Sequence, residues 1–173
     1  MIIIICGAVL LLAEIMVLMH MNRRNKEMLE YRRAGESIYD NKLLELQLRN
    51  PYKPDYDKTE KTLSKWFIVL KAINSRQGAK YVYSLDDSIT IGRARSGNML
   101  VMNDITVSEQ HCVIFLTEGK LILRDQNSAN GVVVSNGLFK KYLVADGSSI
   151  AITDGCRITI GSMTFKVSLF SLA

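Results

Sequence analysis

The stretch CVIFLTEGKLILRDQNSANGVVV (residues 112–134) carries three short apolar runs separated by turn chemistry. CVIFL and KLILRD flank Glu118-Gly119, a pair suited to a tight hairpin, and the loop DQNSANG leads into GVVV. Short runs rich in β-branched residues and bounded by Asn, Asp and Gly predict strands. The same texture extends outward to WFIVLKAI (66–73), KYVYSL (80–85), SITIG (88–92), SIAI (149–152), RITIG (157–161) and MTFKVSL (163–169). Asn136-Gly137, Asp146-Gly147, Asp154-Gly155 and Gly161-Ser162 supply further turns. Regularly spaced short strands over roughly 110 residues from Leu63 onward predict an all-β sandwich or barrel.

Composition bounds the rest. A chain of 173 residues that is 48% hydrophobic allows one ordinary domain with a proper core plus appendages. With 23% charged residues it is not wholly disordered. The net charge of +5 is modest, and no Lys/Arg block is interleaved with aromatics, so a nucleic-acid partner is not expected. Cys6, Cys112 and Cys156 are far apart, form no C-x-x-C pair and have only two histidines for company, which argues against a disulfide framework or a zinc site. No metal or other cofactor is expected.

The N-terminal third differs. IIIICGAVLLLAEIMVLM (2–19) contains one charge, Glu14, and as a helix would span roughly 27 Å against a bilayer core of about 30 Å. It lacks the preceding basic segment and the following small-residue cleavage site of a signal peptide. Arg23, Arg24, Lys26, Arg32 and Arg33 follow it, so the positive-inside rule predicts a transmembrane helix over 1–21 with the remainder cytoplasmic. Residues 25–49 are rich in helix formers, with Met28, Tyr31, Ile38 and Leu48 at approximate helical spacing, and predict a loosely amphipathic helix. Pro51 and Pro54 then fall in the polar stretch NPYKPDYDKTEKT (50–62), which reads as a linker. Thr59 in that linker, flanked by acidic residues, is a candidate for phosphorylation.

On a β scaffold, function usually sits in the loops at one end. Gly92-Arg93, Ser108 to His111 and DQNSANG (125–131) each follow or interrupt a strand. The ordered motifs IGR, VSEQH, LRDQNSANGVVV and DGSSIAITDGCRITIGSMTFKV resemble a forkhead-associated (FHA) domain, the phosphothreonine-recognition module, over roughly residues 64–172. The resemblance implies an FHA-like β-sandwich of about eleven strands, preceded by the transmembrane helix and a helical and flexible tether. The segments are then 1–21 (transmembrane), 22–62 (juxtamembrane helix and linker) and 63–173 (FHA domain).

Carried over by position, the resemblance implies that Arg93 and Ser108 bind phosphate and that Asn130 grips the ligand backbone. Gly92, His111, Ser128 and Gly131 shape the loops. The chemistry agrees. A phosphate presents about −1.5 to −2 charge and three acceptor oxygens. Arginine offers a planar, always-charged fork, and serine a short hydroxyl donor. Asparagine carries donor and acceptor on one amide, as recognition of an extended backbone needs. Two positions depart from the family. Glu109 stands where arginine is often found and opposes a dianion unless it points to solvent or pairs with Arg95. Ala129 stands where threonine is often found and leaves only its backbone N–H to contribute.

A hydrolytic Ser108–His111–Asp125 triad fails on geometry. Serine and histidine three residues apart entering a strand project to opposite faces, and no G-x-S-x-G elbow is present. No enzyme is therefore expected. The expected function is that of a single-pass, cell-membrane adaptor resembling bacterial FHA proteins. Its cytoplasmic domain would recruit threonine-phosphorylated proteins, among them a Ser/Thr kinase or its substrates, to the bilayer. The alternative is a phosphate-independent structural scaffold of a cell-envelope or division complex.

Overall fold

The computed structural model describes residues 2–49, 63–75, 78–137 and 140–172, with the side chains of α1 from Leu11 onward, Gln47 and Arg49 excepted. The element order is α1 (Ile2–Arg49), β1 (Trp66–Ala72), β2 (Lys80–Ser84), β3 (Ile89–Gly92), β4 (Leu100–Val101), β5 (Cys112–Thr117), β6 (Lys120–Asp125), β7 (Val132–Asn136), β8 (Lys140–Val144), β9 (Ser149–Ile152), β10 (Arg157–Ile160) and β11 (Met163–Ser171). The strands form two facing sheets, ordered β2-β1-β11-β10-β7-β8 and β4-β3-β5-β6-β9. Every pairing is antiparallel except β3 with β4.

Alternation aims one face of each strand inward. In β6, Leu121 and Leu123 are buried while Lys120 and Arg124 are exposed. Ile68, Leu70, Ile91, Ile114, Leu123, Val134, Ile158 and Phe165 fill the space between the sheets. The hairpin Glu118-Gly119 has φ of 49° and 71°, and Asp146-Gly147 has 55° and 73°. Paired positive φ values give the turn whose twist matches that of the flanking strands.

Strand β1 breaks the alternation, because Phe67 to Leu70 are all buried. Both faces of β1 are covered. Its outer face meets α1, where Tyr31, Phe67, Val69 and Phe170 make a second apolar cluster with Ile38 and Tyr39 against it. Phe67 and Phe170 stack with centroids 5.3 Å apart. Helix and sheet meet at Gly35, where a Cβ would lie 2.9 Å from the Phe170 ring. Ion pairs flank the seam: Glu27 with Lys71 at 2.8 Å, Glu30 with Lys80 at 2.9 Å, and Lys42 with Asp87 at 2.6 Å. Of the apolar positions expected to define a helix face, Tyr31 and Ile38 pack on the sheet, whereas Leu48 is 71% exposed.

Among the described residues, no helix is long and apolar enough to cross a membrane. The expected transmembrane helix over 1–21 is thereby overturned. Helix α1 continues without a break through polar residues to Arg49. The apolar part of α1 whose side chains are described, 11–21, contains Glu14 and His20 and is about half of the ~20 apolar residues that a span needs. The expected single-pass, cell-membrane placement with a cytoplasmic domain rests on that span and falls with it. The linker over 50–62, including Thr59, lies outside the described residues.

Candidate functional site

Three loops meet at one end of the sandwich: 93–99 after β3, 102–111 between β4 and β5, and 126–131 between β6 and β7. The first two are laced by backbone. Arg93 and Ala94 donate their N–H groups to the carbonyls of Ser108 and Glu109 at 2.9 and 3.1 Å. The Asn98 amide donates to the carbonyls of Ala94 and Glu109 at 2.9 and 2.8 Å. Gly92 permits this approach, since a Cβ there would stand 2.2 Å from the Glu109 carbonyl oxygen.

His111, fully buried, joins the second loop to the third. Its Nδ1 accepts the Ser108 N–H at 3.0 Å, which leaves the ring proton on Nε2 to be donated to the Gly131 carbonyl, also at 3.0 Å. Both ring nitrogens are thus engaged by backbone, and the Ser108–His111–Asp125 triad is not assembled. The Asp125 carboxylate is buried and winds the third loop around itself. It accepts the Ser128 N–H at 3.1 Å, the Ser128 hydroxyl at 2.5 Å and the Gly147 N–H at 3.3 Å. The Ser128 oxygen in turn accepts the Gly131 N–H at 2.9 Å. Gly131 takes φ of +66°, and a Cβ there would lie 2.8 Å from the Val144 carbonyl oxygen.

The three polar side chains are each tethered by one contact. Arg93 Nε donates to the Val107 carbonyl at 3.1 Å, which fixes the guanidinium and leaves its two terminal nitrogens for another acceptor. Ser108 Oγ accepts the Ala129 N–H at 3.0 Å, so its own O–H is available as a donor. Asn130 Nδ2 donates to the Thr106 carbonyl at 2.8 Å, leaving Oδ1 and the second amide hydrogen. Arg93 and Asn130 are exposed and Ser108 is half-buried. Arg95 and Glu109 are both exposed and do not pair with each other among the described residues.

One organising residue escaped the sequence reading. Asp104 accepts the Thr106 N–H at 2.9 Å and hydroxyl at 2.6 Å, and the N–H of Ser162 at 2.9 Å together with its hydroxyl. The Ser162 and Thr106 donors hold its carboxyl far below the usual carboxylate range. Asp104 therefore clamps the loop that presents the Thr106 carbonyl to Asn130. Its sequence signal was the D-x-T spacing of an Asx turn in NDIT. Burial pushes the thiols of Cys112 and Cys156 up, which disfavours the thiolate at neutral pH. No group of residues able to hold a metal ion occurs among the described residues.

The family model of the FHA domain matches residues 89–161, which contain all three loops. Over residues 89–161 the chain is similar to an FHA domain. FHA domains are interaction modules that generally bind phosphothreonine peptides. Among solved structures, the FHA domain of an Arabidopsis thaliana hypothetical protein is 21% identical, with a TM-score of 0.50 over 65% of this chain and 89% of that one. An FHA domain studied for phosphothreonine-dependent interactions is 25% identical, with a TM-score of 0.49 over 61% of this chain and 99% of that one. The FHA domain of CT664 from Chlamydia trachomatis is 18% identical, with a TM-score of 0.49 over 59% of this chain and 96% of that one. No curated protein matches the sequence.

Proposed function

We propose that this protein is a phosphothreonine-peptide-binding adaptor for partners modified by a Ser/Thr kinase, with residues 63–173 as the recognition unit. Arg93 and Ser108 take the phosphate, and Asn130 takes the ligand's backbone. The observation carrying this reading is the pre-set trio of donors. Arg93 is held through Nε alone, Ser108 through its oxygen alone and Asn130 through one amide hydrogen, so the remaining donors are available to a ligand without breaking these bonds. Glu109 extends to solvent at the rim, and the Ala129 N–H serves Ser108 in place of a direct phosphate contact. Both departures lower affinity relative to a site with arginine and threonine there.

Calorimetry on the full chain tests the reading. A phosphothreonine peptide should bind and its unphosphorylated form should not. Arg93→Ala or Ser108→Ala should cost about 1.5–3 kcal/mol, roughly ten- to a hundredfold. Arg93→Lys should rescue only in part, because an ammonium cannot reproduce the fork. Equal affinity for both peptide forms would establish the phosphate-independent scaffold instead.

A further inference from the structure

The register of the six-stranded sheet aligns its cations. On the outer face, Lys80 of β2 stands opposite Lys71 of β1, Lys71 opposite Lys166 of β11, and Lys166 opposite Arg157 of β10. Arg157 is opposite Ser135 of β7, and Ser135 opposite Lys141 of β8. Directly opposed residues share a face, so these side chains form one row across all six strands. At roughly 4.8 Å per strand the row runs about 24 Å. Like charges directly opposite each other destabilise a sheet, so folding alone does not explain the arrangement.

Helix α1 neutralises one half of the row. Glu27 and Glu30, one helical turn apart, reach Lys71 at 2.8 Å and Lys80 at 2.9 Å. Lys166, Arg157 and Lys141 are exposed and have no carboxylate within ion-pair distance among the described residues. Of this open half, Lys166 lines a cleft of about 590 Å³ between α1 and the sheet, together with His20, Arg23, Arg24 and the paired Glu27 and Lys71. The nearby Asp154 is engaged by the Leu169 N–H at 2.8 Å.

We propose that Lys166, Arg157 and Lys141, with Arg23 and Arg24 at their border, form a docking surface for an acidic segment of a partner protein. The covered half shows the chemistry, because the same row already takes two carboxylates from a helix at i and i+3. The row itself carries no aromatic side chain on which a base could stack, which disfavours single-stranded nucleic acid. The surface is separate from the phosphate loops. Arg157 lies three residues, roughly 10 Å, from the end of β10 that approaches them, and it is on the outer face. A partner can therefore be held by its phosphothreonine and by an acidic stretch together.

The test uses the full chain and a short labelled Glu/Ala helical peptide in fluorescence anisotropy, with a Gln/Ala peptide and a single-stranded oligonucleotide as comparisons. The Glu/Ala peptide should bind, weaken with salt, and lose about tenfold or more in affinity in the double variant Lys166→Gln, Arg157→Gln. In the same variant phosphothreonine-peptide affinity should stay within about twofold. Its melting temperature should rise by about a degree or more as like-charge repulsion is relieved, whereas a purely structural role would lower it. The proposal is overturned if the Gln/Ala peptide binds as well, if the variant binds Glu/Ala normally, or if the oligonucleotide competes at equal or lower concentration.

Discussion

Replacing Ser128 by alanine should damage both stability and binding, although the residue projects no group toward a ligand. Ser128 is 9% exposed and Asp125 1%. The hydroxyl donates to Asp125 and accepts from Gly131, so one deletion takes a donor from a buried carboxylate and strands a buried N–H. A hydrogen bond to a charged group contributes about 1.5–3 kcal/mol and an unpaired buried donor costs about 1–3 kcal/mol. The two losses share one oxygen and do not add fully. The Ser128 and Gly147 N–H groups still serve Asp125, so a loss of about 2–4 kcal/mol is expected. Urea denaturation should show a lower midpoint with unchanged slope. Because the same loop aims the Ala129 N–H at Ser108 and the Asn130 amide at Thr106, affinity for a phosphothreonine peptide should fall as well. Asp125→Asn keeps an oxygen for the two backbone donors and should cost less. A Ser128→Ala loss below about 0.5 kcal/mol, within the range of ordinary surface substitutions, would refute the view that Asp125 and Ser128 hold the loop.

Gly92→Ala should destabilise by about 1–3 kcal/mol or more by forcing β3 away from the Glu109 carbonyl, and a thermal melt within one degree of wild type would contradict that close approach. Tyr31→Ala removes a 5% exposed ring between α1 and the sheet and its Lys80 contact, and should cost about 2–4 kcal/mol. It should also speed tryptic cleavage at the exposed Arg32 and Arg33, and an unchanged digest would mean that α1 does not depend on this seam. The Asp104 clamp has a definite pH sign. Its folded carboxyl is held below the ordinary value near 3.9, so its stabilisation is present above about pH 4 and is lost as pH falls below that. The NMR shifts of the Thr106 and Ser162 amides should therefore move only well below pH 4, and a midpoint at the ordinary carboxylate value would disprove the clamp.

What was legible in the sequence follows from what repeats locally. Runs such as CVIFL, KLILRD and SIAI declare strands because each buries an inward row against the opposite sheet. β4 gives no such signal, being two residues that bridge to β3. β8, KKYLV, is an edge strand in which only Val144 is buried, so it has no inward row to announce it. The order of the three motifs singles out Arg93, Ser108 and Asn130, and the fold brings their loops to one end of the sandwich. Their tethers were not legible, because Val107, Thr106 and Ala129 contribute backbone atoms whose identity leaves no trace in side-chain type. The unalternating WFIVL of β1 reads only as a strand in the sequence, and Gly35, Glu27 and Glu30 acquire meaning only when α1 lies across the sheet. The apolar run at the start of α1 has the pattern of a free span when taken alone, whereas in the fold it begins one helix that continues through polar residues to Arg49.

The seam between α1 and the sheet also has a mechanical consequence. Aromatic packing at Tyr31 and ion pairs on either side grip the helix at several points over more than three turns, from Glu27 to Lys42. A rod gripped at several points cannot swivel. The helix between Leu11 and Lys26, exposed throughout and roughly 24 Å long, therefore extends past the gripped part as a continuation of the same rod. A pull on that segment would load the seam first at Glu27 and Tyr31.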